Sequence, residues 1–220
     1  MWLHMPLLKA ALWAVVPYAL LCYLHSRLVG TSTWHDVFPL ALPGLLYFFN
    51  GAFYTHLFEY FYHKDILHAP SCKSHREHHR IFRGDNFQSQ DADDLAHITT
   101  EWWVFPVLLP LHYALALFFV PQQWMLWLFL GITAYFVVCY EASHWFTHVK
   151  NNSVDAWLRR MPVLGARWRH SVQHHRGHHG APTTNYSFGD PHLLDRLLRT
   201  HSGCSATTDV FDDPYDKRGG

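Results

Sequence analysis

Ten histidines fall into four groups whose spacing suits metal ligation. They are His63-Lys-Asp-Ile-Leu-His68, His75-Arg-Glu-His78-His79, His144-Trp-Phe-Thr-His148 and His175-Arg-Gly-His178-His179. On a helix each residue turns about 100°, so positions i, i+3 and i+4 share a face. Each HxxHH group therefore gathers three imidazoles on an arc of about 100°, and His144 and His148 lie about 40° apart. His63 and His68 come out about 140° apart, so either the helix loosens between them or each serves a different metal. Pro70, shortly after, is consistent with a helix end there. One ion takes about four to six ligands, so ten imidazoles fit two ions. All-nitrogen ligation suits Fe, Zn, Cu or Ni rather than Mg or Ca. A structural zinc needs only four ligands and no membrane, so a dinuclear redox site explains more of the pattern.

Other polar residues lie close to these groups in the chain. Glu59 stands one turn before His63 and Glu141 three residues before His144. Each can accept an imidazole N–H and fix its tautomer, or else sit at the headgroup boundary paired with an arginine. His170 and His174 flank the fourth group and are candidates either to support the ligands or to replace one of them. His56, inside an apolar run, is a functional candidate because polar groups there are costly. His112 reads as a satisfied interhelical group, and His4, His25, His35 and His201 as interfacial or loop residues.

The elements that must carry these groups are apolar helices. Runs at about 7–24, 37–60, 102–120 and 123–142 approach the roughly 20 residues that span a bilayer. The expected fold is an all-α integral membrane protein with four transmembrane helices. A helical cap, 61–101 and 143–201, holds the dimetal site in a single domain over 1–201, and 202–220 form a polar tail. Of 17 Lys and Arg, only Arg27 falls on the side opposite the cap, which makes the cap, both termini and the metal site cytoplasmic. Leu193, Leu194, Leu197 and Leu198, interleaved with charges, suggest a short helix on the membrane surface or packed on the cap.

Composition removes several classes of function. Lys+Arg and Asp+Glu balance at 17 each, and no basic nucleic-acid-reading motif is present, so no nucleic-acid partner is expected. The four cysteines are scattered without a CxxC pair, which leaves no disulfide framework and no cysteine-zinc site. A membrane metal transporter or store stays as a distant alternative, since it would need polar ligands within the membrane whereas these groups cluster outside it.

Taken together, the four groups resemble the fatty acid hydroxylase superfamily, the membrane di-iron oxygenases that include sterol desaturases. Glu59 followed by His63 and His68 is similar to its first motif, and the groups at 75–79 and 144–148 to its second and third. The run His174-His175-Arg-Gly-His178-His179 is similar to the fourth motif of fatty acid 2-hydroxylases. The segment from Asn185 to Asp195 and Thr200 resembles the stretch that follows that motif. The resemblance implies two Fe ions held by the ten histidines, zinc being a possible substitute in purified protein. It also implies O2 as co-substrate and hydroxylation of a membrane lipid, foremost a fatty acyl chain. Only six residues separate His68 from His75, closer to bacterial carotenoid hydroxylases, so a carotenoid or sterol hydroxylase or desaturase is the alternative. No cytochrome b5 domain precedes the apolar runs and no GxGxxG motif is present, so electrons are expected from a separate donor such as cytochrome b5 or ferredoxin with its reductase. Arg76, Arg80, Arg83, Arg167 and Arg169 could dock that donor or contact lipid phosphates. Tyr54, Phe58, Phe61, Trp145 and Phe146 are candidates to line a lipid path or to form an interfacial belt.

Overall fold

Apolar runs of this length bury their backbone polar groups most completely as helices, and helices are what they form. The computed structural model describes residues 5–30, 42–188 and 192–202. In chain order the helices are α1 (Met5–Val29), α2 (Leu42–Phe61), α3 (Lys73–Ile81), α4 (Ala92–Leu95) and α5 (Val104–Ala116). They continue with α6 (Gln122–Ala134), α7 (Ser143–His148), α8 (Ser153–Arg160), α9 (Leu164–Gly180) and α10 (Leu193–Leu197). Two stretches adopt the wider π-helical winding: Tyr62–Leu67 directly after α2, and Tyr135–Ala142 between α6 and α7. Among the described residues there is no strand, only a bridge between Ser89 and Val149.

Helices α2 and α6 run side by side in the same direction. Tyr47 stacks on Trp124, Gly51 meets Leu128 and His56 meets Tyr135, offsets of 77 to 79 residues. Both helices therefore deliver their C-terminal histidines to the same end of the bundle. Their approach depends on glycine. A Cβ on Gly51 would stand 2.0 Å from the Leu128 carbonyl oxygen, and one on Gly131 would stand 1.9 Å from that of Phe48. Helices α1 and α5 pack on α6 through Ala14, Leu21, Phe105, Leu109, Met125 and Phe129. A second core of Phe82, Leu95, Ile98, Trp145 and Val149 holds the cap, and Leu7 packs against it. The N-terminal end of α1 thus lies at the cap end.

The span boundaries differ from those expected at 7–24, 37–60, 102–120 and 123–142. Among the described residues two helices are long and apolar enough to cross a membrane, Met5–Val29 and the continuous Gln122–His148. Helix α5 has 13 residues, about 20 Å, short of a hydrocarbon core of about 30 Å. The chain turns at Leu117–Phe119, ahead of Pro121. Helix α2 is described from Leu42 onward, and Asn50, His56 and Glu59 dilute its apolar run. Along α1, Leu8, Leu12, Val16, Leu20, Leu24 and Leu28 are exposed, a stripe that calls for an apolar covering.

Other expectations shift as well. His25 is buried, with Nδ1 2.6 Å from the Tyr113 hydroxyl, because the tips of α1 and α5 meet there. His112 bonds the Leu108 carbonyl of its own helix rather than a neighbouring one. Trp145 belongs to the cap core and not to a lipid path. In α10, Leu194 packs against Tyr60 and Tyr186 while Leu197 is 66% exposed, so one face of this helix sits on the cap. Of the expected tail, residues 203–220 lie outside the described residues, as do His4 and His35.

Gly131→Ala is expected to destabilise the detergent-solubilised protein by about 1–3 kcal/mol, since the added methyl group meets backbone that cannot rotate away. Gly180→Ala, where nothing lies within 4 Å, is expected to leave the thermal midpoint unchanged. Equal midpoints for both variants would contradict the close crossing.

Candidate metal centre

The cap brings all ten predicted histidines together in two groups of five. His63, His68, His75, His79 and His178 form the first, and His78, His144, His148, His175 and His179 the second. Within each group the nearest ring nitrogens all lie within 4.8 Å of one another. The division follows helical geometry more finely than a shared face. In each HxxHH helix the i, i+4 pair serves one group and the middle histidine the other, so α3 gives His78 to the second group and α9 gives His178 to the first. Rings of His79 and His179 stack at 4.3 Å between centroids, which sets the two groups side by side.

The His63–His68 spacing is resolved by the first π-helical stretch. With i→i+5 winding, residues five apart come round to the same face. The His68 backbone N–H duly donates to the His63 carbonyl at 3.2 Å, and both rings join the first group. The second π-helical stretch precedes His144 and His148, which are four apart on α7.

Three of the ten rings are aimed inward by anchors on their opposite edges. His63 Nδ1 donates to the Tyr186 carbonyl at 2.6 Å, His178 Nδ1 to that of Thr184 at 2.6 Å, and His148 Nδ1 to that of Phe87 at 2.8 Å. A neutral imidazole has one N–H, so each of these three rings presents an Nε2 lone pair to its cluster. Nε2 of His75 lies 3.1 Å from His63, 3.2 Å from His68 and 3.1 Å from His79, more contacts than one proton can bridge. In the second group the His148–His175, His175–His179, His179–His78 and His78–His144 contacts span 2.9–3.2 Å. Converging lone pairs at this spacing repel unless a cation lies among them.

The spacing also suits an ion. His75, His68, His178 and His79 close a ring with sides of 3.0–3.2 Å. Half the diagonal of a square of that side is about 2.2 Å, close to the metal–imidazole bond length of about 2.0–2.1 Å known for zinc. Burial keeps the rings neutral and ready to bind. It lowers the His68 pKa to about 4, and together with the surrounding imidazoles lowers that of His79 to about 2. His75, His175, His178 and His179 are pushed down in the same way.

Both acidic residues are buried, but neither touches an imidazole of the two groups. Glu59 Oε1 accepts the Phe188 N–H at 2.9 Å and Oε2 the Tyr135 hydroxyl at 3.1 Å. The Tyr135 proton is thereby used, so His56 Nδ1 donates to the Tyr135 oxygen at 2.7 Å. Glu59 thus fixes Phe188, whose ring lies against His63, His144 and His175. Glu141 accepts the Thr100 N–H at 3.0 Å and orients the loop before α5. For Glu59 the physical reason is that the Tyr186 carbonyl already occupies the tautomer-fixing position of His63, whereas Glu141 is drawn away from His144 to the Thr100 N–H.

His174 belongs to neither group, and His175 is the one that joins the second. His174 Nε2 donates to Asp195 Oδ2 at 3.1 Å. Asp195 also accepts the N–H groups of Tyr186 and Ser187 and the Thr200 hydroxyl, each at 2.8 Å. Burial would raise the pKa of this carboxyl, but the four hydrogen bonds hold it below the ordinary carboxylate range. His174, His192 and Asp195 are close enough to suggest a third metal group. The rings of His174 and His192, however, stack nearly parallel at 3.6 Å, so their in-plane lone pairs cannot converge, and the Asp195 oxygens are committed. His170 lies alongside the same stack. This trio clamps residues 184–188, the strap that carries Tyr186; the resemblance singles out Asp195 and Thr200 but spacing alone does not give them this role.

Because the middle histidines cross over, metal content should respond to substitutions in a crossed pattern. His144→Ala/His148→Ala is expected to leave about one ion per chain by elemental analysis. Adding His78→Ala should cost nothing more, whereas adding His75→Ala should reduce the remaining ion. Loss of that ion with His78→Ala would contradict the division.

The profile of the fatty acid hydroxylase family matches residues 48–200, which contain both histidine groups and the Asp195 clamp. No curated protein and no solved structure matches the chain. The family match covers well over half of the 220 residues. The chain therefore belongs to the fatty acid hydroxylase family, within the sterol desaturase/fatty acid hydroxylase superfamily.

Proposed function

We propose that the protein is an O2-dependent hydroxylase that oxidises a C–H bond of a membrane lipid, foremost a fatty acyl chain, at a site of two iron ions. The observation that supports this most is the pair of adjacent five-imidazole groups in a chain of this family. The net reaction is R–H + O2 + two electrons + two protons → R–OH + water, with the electrons supplied by a separate one-electron carrier protein. When bound, the ions would supply the redox centre at which O2 is reduced and the C–H bond is attacked.

The chain's own residues position and shield. His63, His148 and His178 are held by carbonyls in the tautomer that leaves Nε2 free to bind. Asp195 holds the strap bearing Tyr186, and Glu59 holds Phe188, so the groups are covered on the strap side by buried apolar rings. Exclusion of water there favours a reactive oxidant meeting the substrate rather than solvent. In this proposal the bundle sits in the membrane with several spans, the cap and both termini face the cytoplasm, and exposed Arg76, Arg80 and Arg83 face the electron carrier.

A carotenoid or sterol substrate for the same chemistry is favoured by the short interval between His68 and His75. Comparing the lipids of cells expressing the wild type with those of cells expressing His78→Ala tests both readings, given a working reductase and metal-loaded protein. Hydroxylated acyl chains in the wild type alone are expected; oxygenated carotenoids or sterols would favour the second reading. Identical lipid profiles would contradict both.

A further inference from the structure

The five rings of each histidine group stand as an apex over a rim. In the first group the His68 centroid lies 4.8–5.1 Å from those of His63, His75, His79 and His178. Those four close a rim among themselves at 4.5–4.9 Å. In the second group His148 faces His78, His144, His175 and His179 at 4.8–4.9 Å, and these close a rim at 4.6–4.9 Å. Both apexes are the second member of a histidine pair, His63/His68 or His144/His148, so the two groups are built alike. The apex ring covers one side of each rim. Among the described residues no imidazole covers the other side.

The aromatic neighbours divide in the same way. Phe82 and Phe87 lie 4.4 and 4.8 Å from the apex His148, and Tyr186 lies 5.5 Å from the apex His68. Phe188 differs. Its ring is 5.3 Å from His63, 4.6 Å from His144 and 4.5 Å from His175, rim members of both groups, and among the described contacts it meets neither apex. A polar cavity bordered by exposed Lys73 and Ser74 likewise reaches the rim rings His75, His78 and His144 but neither apex. Tyr140 joins the two features, since it borders that cavity and lies 4.9 Å from the Phe188 ring. Phe188 therefore stands on the open side of the rims, beside the route by which small molecules arrive. It cannot swing aside easily, because it is buried and its backbone N–H donates to Glu59 Oε1 at 2.9 Å.

Resting on the hydroxylase reading above, we infer that Phe188 is a modification site: when no lipid occupies the open side, the Phe188 ring is hydroxylated in its place. The balance is ring C–H + O2 + two electrons + two protons → ring C–OH + water. One oxygen atom enters the ring and the other leaves as water; O2 is reduced, a ring carbon is oxidised, and the electrons come from the same one-electron carrier protein. Exclusion of water on this side leaves a C–H bond of the protein as the nearest partner for the oxidant. Phe82 and Phe87 lie as close to ligand rings but on the apex side, where an imidazole stands between them and the open face. A lipid that fills the open side takes the oxygen instead, so the modification marks turnover without substrate.

Two measurements test this. In the first, iron-loaded protein stripped of lipid in a fluorinated surfactant is reduced with dithionite and desalted, so that it carries the electrons of one turnover. It is then exposed to isotopically heavy O2 and digested for peptide mass mapping. Heavy oxygen on the Phe188 ring is expected, with Phe82 and Phe87 unlabelled. Added stearate is expected to take up the label and to lower it on Phe188. Label on Phe82, Phe87 or Tyr140 without Phe188, or label in added stearate with Phe188 clean in its absence, would overturn the inference and leave the hydroxylase reading intact. No label in protein or stearate would contradict both. The second measurement needs no O2. In cobalt-loaded protein, azide is expected to enter from the open side and shift the visible spectrum. Phe188→Trp is expected to abolish that shift and Phe87→Leu to keep it, with cobalt content checking that each variant still loads. No shift in the wild type, or one that Phe188→Trp leaves unchanged, would overturn the placement of the open side. If Phe188→Trp fails to load cobalt, the peptide map of the wild type decides.

Discussion

Ten imidazole nitrogens aimed inward, with no acidic side chain among them, are the constraint on which the rest of the structure depends. Lone pairs about 3 Å apart are tolerable only around cations, and no ordinary pattern of protonation resolves nine such contacts. The surrounding fold serves to hold these rings against their own repulsion. Three are anchored by backbone carbonyls of 87, 184 and 186, and the segment bearing two of those carbonyls is itself clamped by Asp195 and Asn185. The Asn185 clamp is tight, since a Cβ on Gly177 of α9 would stand 2.8 Å from its amide nitrogen.

The site has an internal repetition that a linear reading of the chain does not reveal. Helices α2 and α6 run parallel, each continues into or through π-helical winding, and each ends in a histidine pair, His63/His68 or His144/His148. Helices α3 and α9 then contribute HxxHH triplets whose middle members exchange groups. Each histidine group therefore draws on three helical segments, one of which is remote in sequence from the others: α9 in the first group and α3 in the second. A metal held by such a group would link the bundle to the cap and so couple its binding to tertiary folding.

Much of this was legible in the residues. The four histidine groups, their assembly at one end of apolar helices and the all-α architecture follow from spacing and hydropathy alone. The His63–His68 interval, about 140° on an α-helix, leaves either a loosened helix or two different metals, and the π turn that restores a common face decides for the first. What spacing could not supply was tertiary choice. Glu59 and Glu141 are one turn from ligands on paper, yet their carboxylates reach Phe188 and Thr100, since backbone N–H groups without helical partners lay nearer. His174 and His175 are adjacent and chemically identical, and only the position of Asp195 on α10 separates support from ligand. Helix α5 falls short of a span because a turn precedes Pro121, a local event that hydropathy windows smooth over.

The account rests on two ions, each held by five imidazoles, and X-ray absorption at the metal edge of protein purified with iron in the absence of O2 examines that most directly. With elemental analysis on the same sample, the expected result is two ions per chain, each with a shell of roughly five imidazole nitrogens at a little over 2 Å. One ion per chain, or a shell with sulfur or mainly carboxylate oxygen, would contradict it.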